Sequence, residues 1–343
     1  MVRIGIVGIG FMGVTHYRAV KEVEGAEVVA ICTRSPKKLH GDWTDVRGNF
    51  GEAGGVEDVS HLRRYDKISD ILNDPEIDLI DICLPTSLHY ETTISAFEAS
   101  KHVLLEKPIA LNLKHADAMV EAAKKADRFF MVGQVLRFFP EFAFLKEAIE
   151  GRKYGALLGA HFKRIISKPT WSEENWFADP ARSGGAVIDL HIHDADFIQY
   201  ILGMPDRVFS SGVVSPDGYV DHLATQYLYG ERNLCITAEG GWMAMPGLLF
   251  EHGFDVYFET ATLQYNSLWE VPLTVFPADG EKTHPELPAQ DGFVAEIQYG
   301  VDCIRENREP EVISGASARN SLLLCLKESQ SAKSRRTVRI PER

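Results

Sequence analysis

The chain has 343 residues, of which 45% are apolar and 25% charged, and carries a formal net charge of -13 at pH 7. That length points to two domains and that composition to a globular protein. The acidic balance argues against nucleic acid as a partner, because phosphate binding draws on clustered Lys and Arg. The short KSRR run, Lys333 to Arg336, reads as a solvated turn. No apolar run approaches the ~20 residues of a membrane span. Residues 2–10 lack the basic start and long apolar stretch of a signal peptide. The five cysteines are scattered, with no CxxC pair, which suits reduced thiols. A cytoplasmic protein with no membrane partner is expected.

The first segment, "VRIGIVGIGFMGVTHYRAVKEV", opens on an apolar run, Val2 to Val7, that predicts a strand. Gly8, Gly10 and Gly13 then spell GxGxxG, and a helix is expected from Met12 to about Val23. Gly8 permits the tight turn, Gly10 lets the backbone approach a pyrophosphate, and Gly13 lets helix and strand pack closely. The helix N-terminus offers free N–H groups to the anion, which places Phe11 and Met12 beside a bound dinucleotide. A second strand, "AEVVAIC", follows on schedule and ends at Thr33, Arg34 and Ser35, with Lys38 just beyond. An acidic residue there would favour NAD through the ribose 2′-OH. A hydroxyl beside an arginine suits a 2′-phosphate better, so NADP is favoured over NAD. Residues 40–60 are glycine-rich and poorly periodic, an enlarged connection of no legible function.

Strand and helix then alternate. A helix "KISDILNDPE", a strand "IDLIDICL", a helix after "PTSLHYETT" and a fifth strand "HVLLEKP" imply a parallel sheet covered by helices. Ligands of such sheets bind at the carboxyl ends of strands. Leu84, Pro85, Thr86 and His89 cluster at one such end, Glu106 and Lys107 at another. All are assigned to the cofactor site, and Lys107 to the substrate as well. Gln134 and Arg137, just past the sixth strand, are expected on the pocket rim.

Beyond residue 128 a turn at Pro140, a helix and a long strand lead to the loop "TWSEENWFADPARSGG". Its Trp171, Trp176 and Phe177 offer aromatic platforms, and Trp176 is a candidate for stacking on a sugar ring. Segments from "DRVFSSGVVSP" to "ATLQYNS" alternate as in a half-buried antiparallel sheet. Val271 to Pro288 reads as irregular, and two helices close the chain.

"SGGAVIDLHIHDADFIQYILG", Ser183 to Gly203, is predicted to be a helix. At α-helical spacing, Asp189, His193, Asp196 and Tyr200 form one polar row beside an apolar stripe. A metal nest is disfavoured because His191 and His193, two apart, diverge on a helix and no third ligand has convincing spacing. A solvated face and a proton-transfer row remain.

Three blocks now stand in order: GIGFMG, "LPTSLHYETTISAFEASKHVLLEKPIA" and "GGAVIDLHIHDADFIQYILG". Together they resemble the glucose–fructose oxidoreductase / inositol dehydrogenase / rhizopine-catabolism family of NAD(P)-dependent oxidoreductases, over essentially the whole chain. The resemblance implies an α/β protein. Its Rossmann domain, a doubly wound parallel sheet, would occupy residues 1–128. An α+β domain with a large, mostly antiparallel open sheet, over 129–343, would bind substrate and assemble a homodimer or homotetramer. It also implies that Lys107, Asp189 and His193 are the catalytic lysine, aspartate and histidine, and that Lys107–Pro108 is cis. Two positions depart from the family: Thr86 stands where Asn is frequent, and His191 where a small residue is.

The expected activity is hydride transfer between a nicotinamide cofactor and a secondary alcohol or ketone of a sugar, inositol or related polyol. His193 would take the alcohol's proton. Asp189 would orient the imidazole or hold a hydroxyl, and Lys107 would stabilise the developing alkoxide. Two rivals stay open: a glycoside hydrolase that recycles a bound NAD, and a nucleotide-binding sensor without catalysis.

Overall fold

The computed structural model describes residues 1–170 and 173–341. Trp171 lies outside the described residues. The sequence reading cuts the chain once, after residue 128. Contacts instead group Met1–Phe138, Trp171–Trp176 and Gln290–Arg319 into one unit, and Phe139–Thr170, Phe177–Ala289 and Asn320–Arg343 into another.

The first unit is a Rossmann sheet. Its elements run β1 (Val2–Val7), α1 (Phe11–Val20), β2 (Ala26–Cys32), a single turn α2 (Pro36–Leu39), β3 (Arg63–Tyr65), α3 (Ile68–Leu72), β4 (Leu79–Ile82), α4 (His89–Glu98), β5 (His102–Glu106), α5 (Leu113–Ala126) and β6 (Phe130–Gly133). The strands are parallel in the order β3-β2-β1-β4-β5-β6. Strand order reverses between β1 and β4, the crevice where such sheets bind nucleotides. The central strands are buried along their length, among them Ile4, Ile6, Ile80, Ile82 and Leu105. This is why they read as mostly apolar runs. Asn112 caps α5 by accepting the His115 N–H, and Asp127 ends it in the left-handed region at φ 52°.

The second unit opens with α6 (Pro140–Glu150), β7 (Leu157–Ser167), a short α7 (Pro180–Ser183) and α8 (Ile192–Leu202). Then come β8 (Arg207–Val214), β9 (Val220–Leu228), β10 (Cys235–Ala244), β11 (Glu251–Phe258), β12 (Ala261–Asn266) and β13 (Leu273–Pro277). With β14 (Val338–Arg339) they form one eight-stranded sheet, β13-β12-β11-β7-β10-β9-β8-β14. It is antiparallel except where β7 and β10 run parallel. The stretch expected to be irregular, Val271 to Pro288, therefore contains a strand: β13 pairs with β12. Phe142 of α6 packs edge-on against Phe197 of α8 and Phe254 of β11 at 4.9 and 5.4 Å. That aromatic knot ties both helices to the sheet.

Two helices close the chain, α9 (Gly292–Glu306) and α10 (Gly315–Ser334). α9 returns to the Rossmann unit and packs on α1. Lys333 to Arg336 are exposed, but Lys333 and Ser334 still belong to α10 and only Arg335 and Arg336 turn away from it. No helix among the described residues is long and apolar enough to cross a membrane.

Candidate active site

The three glycines of GxGxxG are required for three different reasons. Gly8 has φ +100°, and a Cβ there would lie 2.5 Å from the Cys83 carbonyl oxygen. A Cβ on Gly13 would lie 1.9 Å from the carbonyl oxygen of Gly8. Gly10 has nothing within 4 Å of its missing Cβ, so its backbone faces open space. No side chain caps α1 at Gly10, which leaves the first-turn N–H groups for an anion. These features fit a dinucleotide: the open backbone and uncapped helix would take its pyrophosphate. At the end of β2 the hydroxyl of Thr33 accepts the Ser35 N–H, and Ser35 accepts the Lys38 N–H to cap α2. Arg34 is exposed beside them.

The connection at 40–60, silent in sequence, is a strap folded onto α1. Trp43 is fully buried, donates to the Lys38 carbonyl at 2.8 Å and packs edge-on against Tyr17 at 4.8 Å. Phe50 reaches Phe11 of the glycine loop at 4.6 Å and stacks on Phe293 of α9 at 5.6 Å. Gly48 passes so near the Phe11 ring that a Cβ would lie 2.0 Å from it. Only tertiary contacts reveal this role, and the sole hint in sequence is an aromatic among glycines.

At the ends of β4 and β5 the expected cofactor residues divide. Leu84, Pro85 and Lys107 are half-buried, whereas Thr86 and His89 are buried. The Lys107–Pro108 peptide is cis. His89 has one ring nitrogen 2.8 Å from the Pro108 carbonyl oxygen and the other 2.8 Å from that of Leu84. Burial pushes its pKa down, and a neutral ring donates to only one of the two. Either way both nitrogens are occupied, so His89 ties two loops together. Glu106 is likewise engaged within the protein. One carboxylate oxygen accepts the Lys107 N–H at 2.9 Å and the other lies 3.2 Å from His16 Nε2.

Arg137 does not form a rim. It is 4% exposed, and its guanidinium donates to the Val312 carbonyl and, at 2.9 Å, to the Ser317 hydroxyl. It clamps the returning segment to the sheet. Gln134 is buried beside it in sequence. Trp176 is half-buried in a 3₁₀ turn, Glu173–Ala178.

In the second unit the predicted helix is interrupted. Val187–His191 winds as a π-turn before α8 begins at Ile192, which breaks the α-helical register across Asp189 and His193. The four-residue polar row therefore does not exist. Asp196 is buried and accepts the Ser321 hydroxyl at 2.5 Å. Tyr200 is half-buried under the Lys146 ammonium, 4.7 Å from its ring centre. Asp189 is buried at 7% exposure and His193 is half-buried. π-turns of this kind recur at functional sites.

The departing residue, His191, belongs to an interior network. Its Nε2 lies 3.1 Å from Glu328 and 3.3 Å from the Tyr227 hydroxyl, with all three fully or almost fully buried. Burial opposes its charge, but Glu328 outweighs that and raises its pKa. Nearby, Asp194 and Arg164 form a buried pair at 2.8 Å.

Two family models match the chain. One, an oxidoreductase family with an NAD-binding Rossmann fold, matches residues 2–134. The other, the GFO/IDH/MocA C-terminal domain, matches residues 142–264. The chain is 27% identical to a myo-inositol 2-dehydrogenase of Thermotoga maritima over 99% of both chains. It is also 27% identical to a scyllo-inositol 2-dehydrogenase (NAD(+)) of Bacillus subtilis, over 91% of this chain and 88% of that one. An aldose-aldose oxidoreductase structure from Caulobacter crescentus shares the fold at a TM-score of 0.83, with 20% identity and 99% of each chain covered.

Proposed function

We propose that this chain, which belongs to the GFO/IDH/MocA oxidoreductase family, interconverts a secondary alcohol and a ketone on an inositol, sugar or related polyol. The protein is a nicotinamide-dependent dehydrogenase or reductase. The finer reading rests on one observation above all. The open Gly10 backbone and the turn of Lys107 stand at the carboxyl edge of one parallel sheet, where such sheets carry their chemistry. Two relatives matched over most of their length act on inositols by name, which supports a polyol as substrate.

A bound nicotinamide supplies the hydride acceptor or donor. The residues of this chain manage the oxygen and its proton. Lys107, charged, would polarise the alcohol oxygen and stabilise the alkoxide, a pre-placed electrostatic contribution. His193 would accept the hydroxyl proton on oxidation and return it on reduction. Asp189, earlier in the π-turn, would orient that imidazole or hold a neighbouring hydroxyl. Arg34 and Thr33 would favour the 2′-phosphate of NADP.

The test is a pair of variants, Lys107→Ala and His193→Ala, assayed with NAD and NADP against inositols and sugars. Each should fold, bind cofactor and lose about 10²–10⁴ in kcat. Full turnover in either folded variant would overturn its assigned role.

A further inference from the structure

A chain of ionisable groups lies buried in the Rossmann unit, directly behind the lysine turn. Its members are Asp81 on β4, His16 on α1, Glu106 at the end of β5 and Glu296 on α9, none more than 6% exposed. His16 Nδ1 lies 2.9 Å from Asp81, and its Nε2 lies 3.2 Å from Glu106. The second oxygen of Glu106 accepts the backbone N–H of Lys107. The Sγ of Cys83 sits 3.6 Å from His16 Nδ1, and the ring of Phe293 closes that side at 6.1 Å. A line of close contacts therefore runs from Asp81 through His16 and Glu106 to the main chain of Lys107.

Glu296 completes the chain without an ion partner. Both its carboxylate oxygens are buried and have no hydrogen-bond donor among the described residues. It faces Glu106 across Gly133: a Cβ built there would lie 3.5 Å from a Glu296 oxygen and 3.6 Å from a Glu106 oxygen. The other charges that act on it are His16, Asp81 and Arg137. An ionised carboxylate in that position would be desolvated, unbonded and repelled, so it takes up a proton.

We propose that His16 is a positioning residue for Lys107: held by Asp81, it fixes the Glu106 carboxylate, which in turn fixes the lysine turn, while Glu296 borders that carboxylate as a neutral acid. Burial opposes charge on His16, but the Asp81 carboxylate against its Nδ1 outweighs it and holds its pKa well above the ordinary value. The burial of Glu296, then the charge of Glu106, push its pKa well up. The catalytic consequence rests on the proposed role of Lys107; the state of the buried chain does not.

Three readouts on the full-length protein test it. Infrared difference spectra at neutral pH should show the carbonyl stretch of a buried carboxylic acid, sensitive to D₂O and absent from Glu296→Gln. Hydrogen exchange at the Lys107 amide should accelerate by about tenfold in His16→Gln, as expected when a charge-assisted hydrogen bond is lost. Glu296→Gln, one neutral group for another, should keep that protection. Where the wild type turns over a polyol, His16→Gln should lower kcat and leave the cofactor KM unchanged, while Glu296→Gln keeps both. If His16→Gln fails to fold, Asp81→Asn replaces it. That variant weakens the imidazolium, so protection of Lys107 at neutral pH should fall below that of the wild type.

No acid band at neutral pH would overturn the proposal, as would wild-type exchange at Lys107 in both His16→Gln and Asp81→Asn. Stoichiometric zinc that disappears in Cys83→Ser would also overturn it, because His16, Asp81 and Cys83 offer three ligand atoms within 4.8 Å of one another. A wild-type protein inactive on every polyol would remove the proposed function, yet the infrared and exchange readouts would still decide this proposal.

Discussion

A Cβ built on Gly240 of β10 would lie 2.5 Å from Nδ1 of His191. The buried His191 ring thus occupies space that a glycine leaves for it. Gly240→Ala should cost about 1–3 kcal/mol through overpacking. Urea denaturation of the two proteins would measure it, and equal midpoints would show that the imidazole moves aside freely.

Glu328 should make that stability depend on pH. The folded-state pKa of His191 is raised, so its contribution is fully present below the unfolded value of about 6.5. It is lost as pH rises through the higher folded value. Glu328→Gln should therefore cost most in acid, about 3–5 kcal/mol for a broken buried pair. The gap from wild type should narrow as pH increases. Denaturation curves across that range would show it, and a gap that widens with pH would contradict the assigned sign.

Much of the fold is legible in sequence because burial writes itself as pattern. β1, β4 and β5 are mostly apolar, since helices cover both faces of a parallel sheet, and GxGxxG sits between strand and helix. Other features leave no local mark. The π-turn at Val187–His191 shifts the helix register, so α-helical counting misplaces Asp189 relative to His193, Asp196 and Tyr200 of α8. His16 reads as one polar residue in an amphipathic helix, and Glu296 as another. Their meaning depends on Asp81 of β4 and Glu106 of β5, which lie 65 and 90 residues from His16 in sequence. Arg137 and His89 are recognisable as important but not as clamps, because backbone carbonyls, invisible in sequence, are their partners.

The aromatic strap should matter for cofactor retention. Phe50 touches Phe11 of the glycine loop and is itself 40% exposed, so its loss should scarcely change overall stability. Phe50→Ala should weaken dinucleotide binding by about three- to tenfold, the worth of one aromatic pair. Titration of reduced cofactor by fluorescence checks this, with the melting temperature as control. Unchanged affinity would make the strap a cover for α1 alone.

Cofactor choice turns on Arg34, exposed at the end of β2. Arg34→Ala should raise the KM for NADP by about tenfold or more, as expected for a lost charge-assisted bond, and leave that for NAD nearly unchanged. Steady-state kinetics with both cofactors measure it. Equal loss for both, or none, would remove the 2′-phosphate argument.

The most direct test of the central claim is net cofactor turnover. Purified protein with NAD or NADP would be mixed with a panel of inositols, hexoses, pentoses, uronic acids and glycosides, with absorbance and released sugar read together. The account predicts reduced nicotinamide formed in proportion to an oxidised polyol. Sugar released from a glycoside at constant absorbance would contradict it and assign the site to hydrolysis with a recycled cofactor.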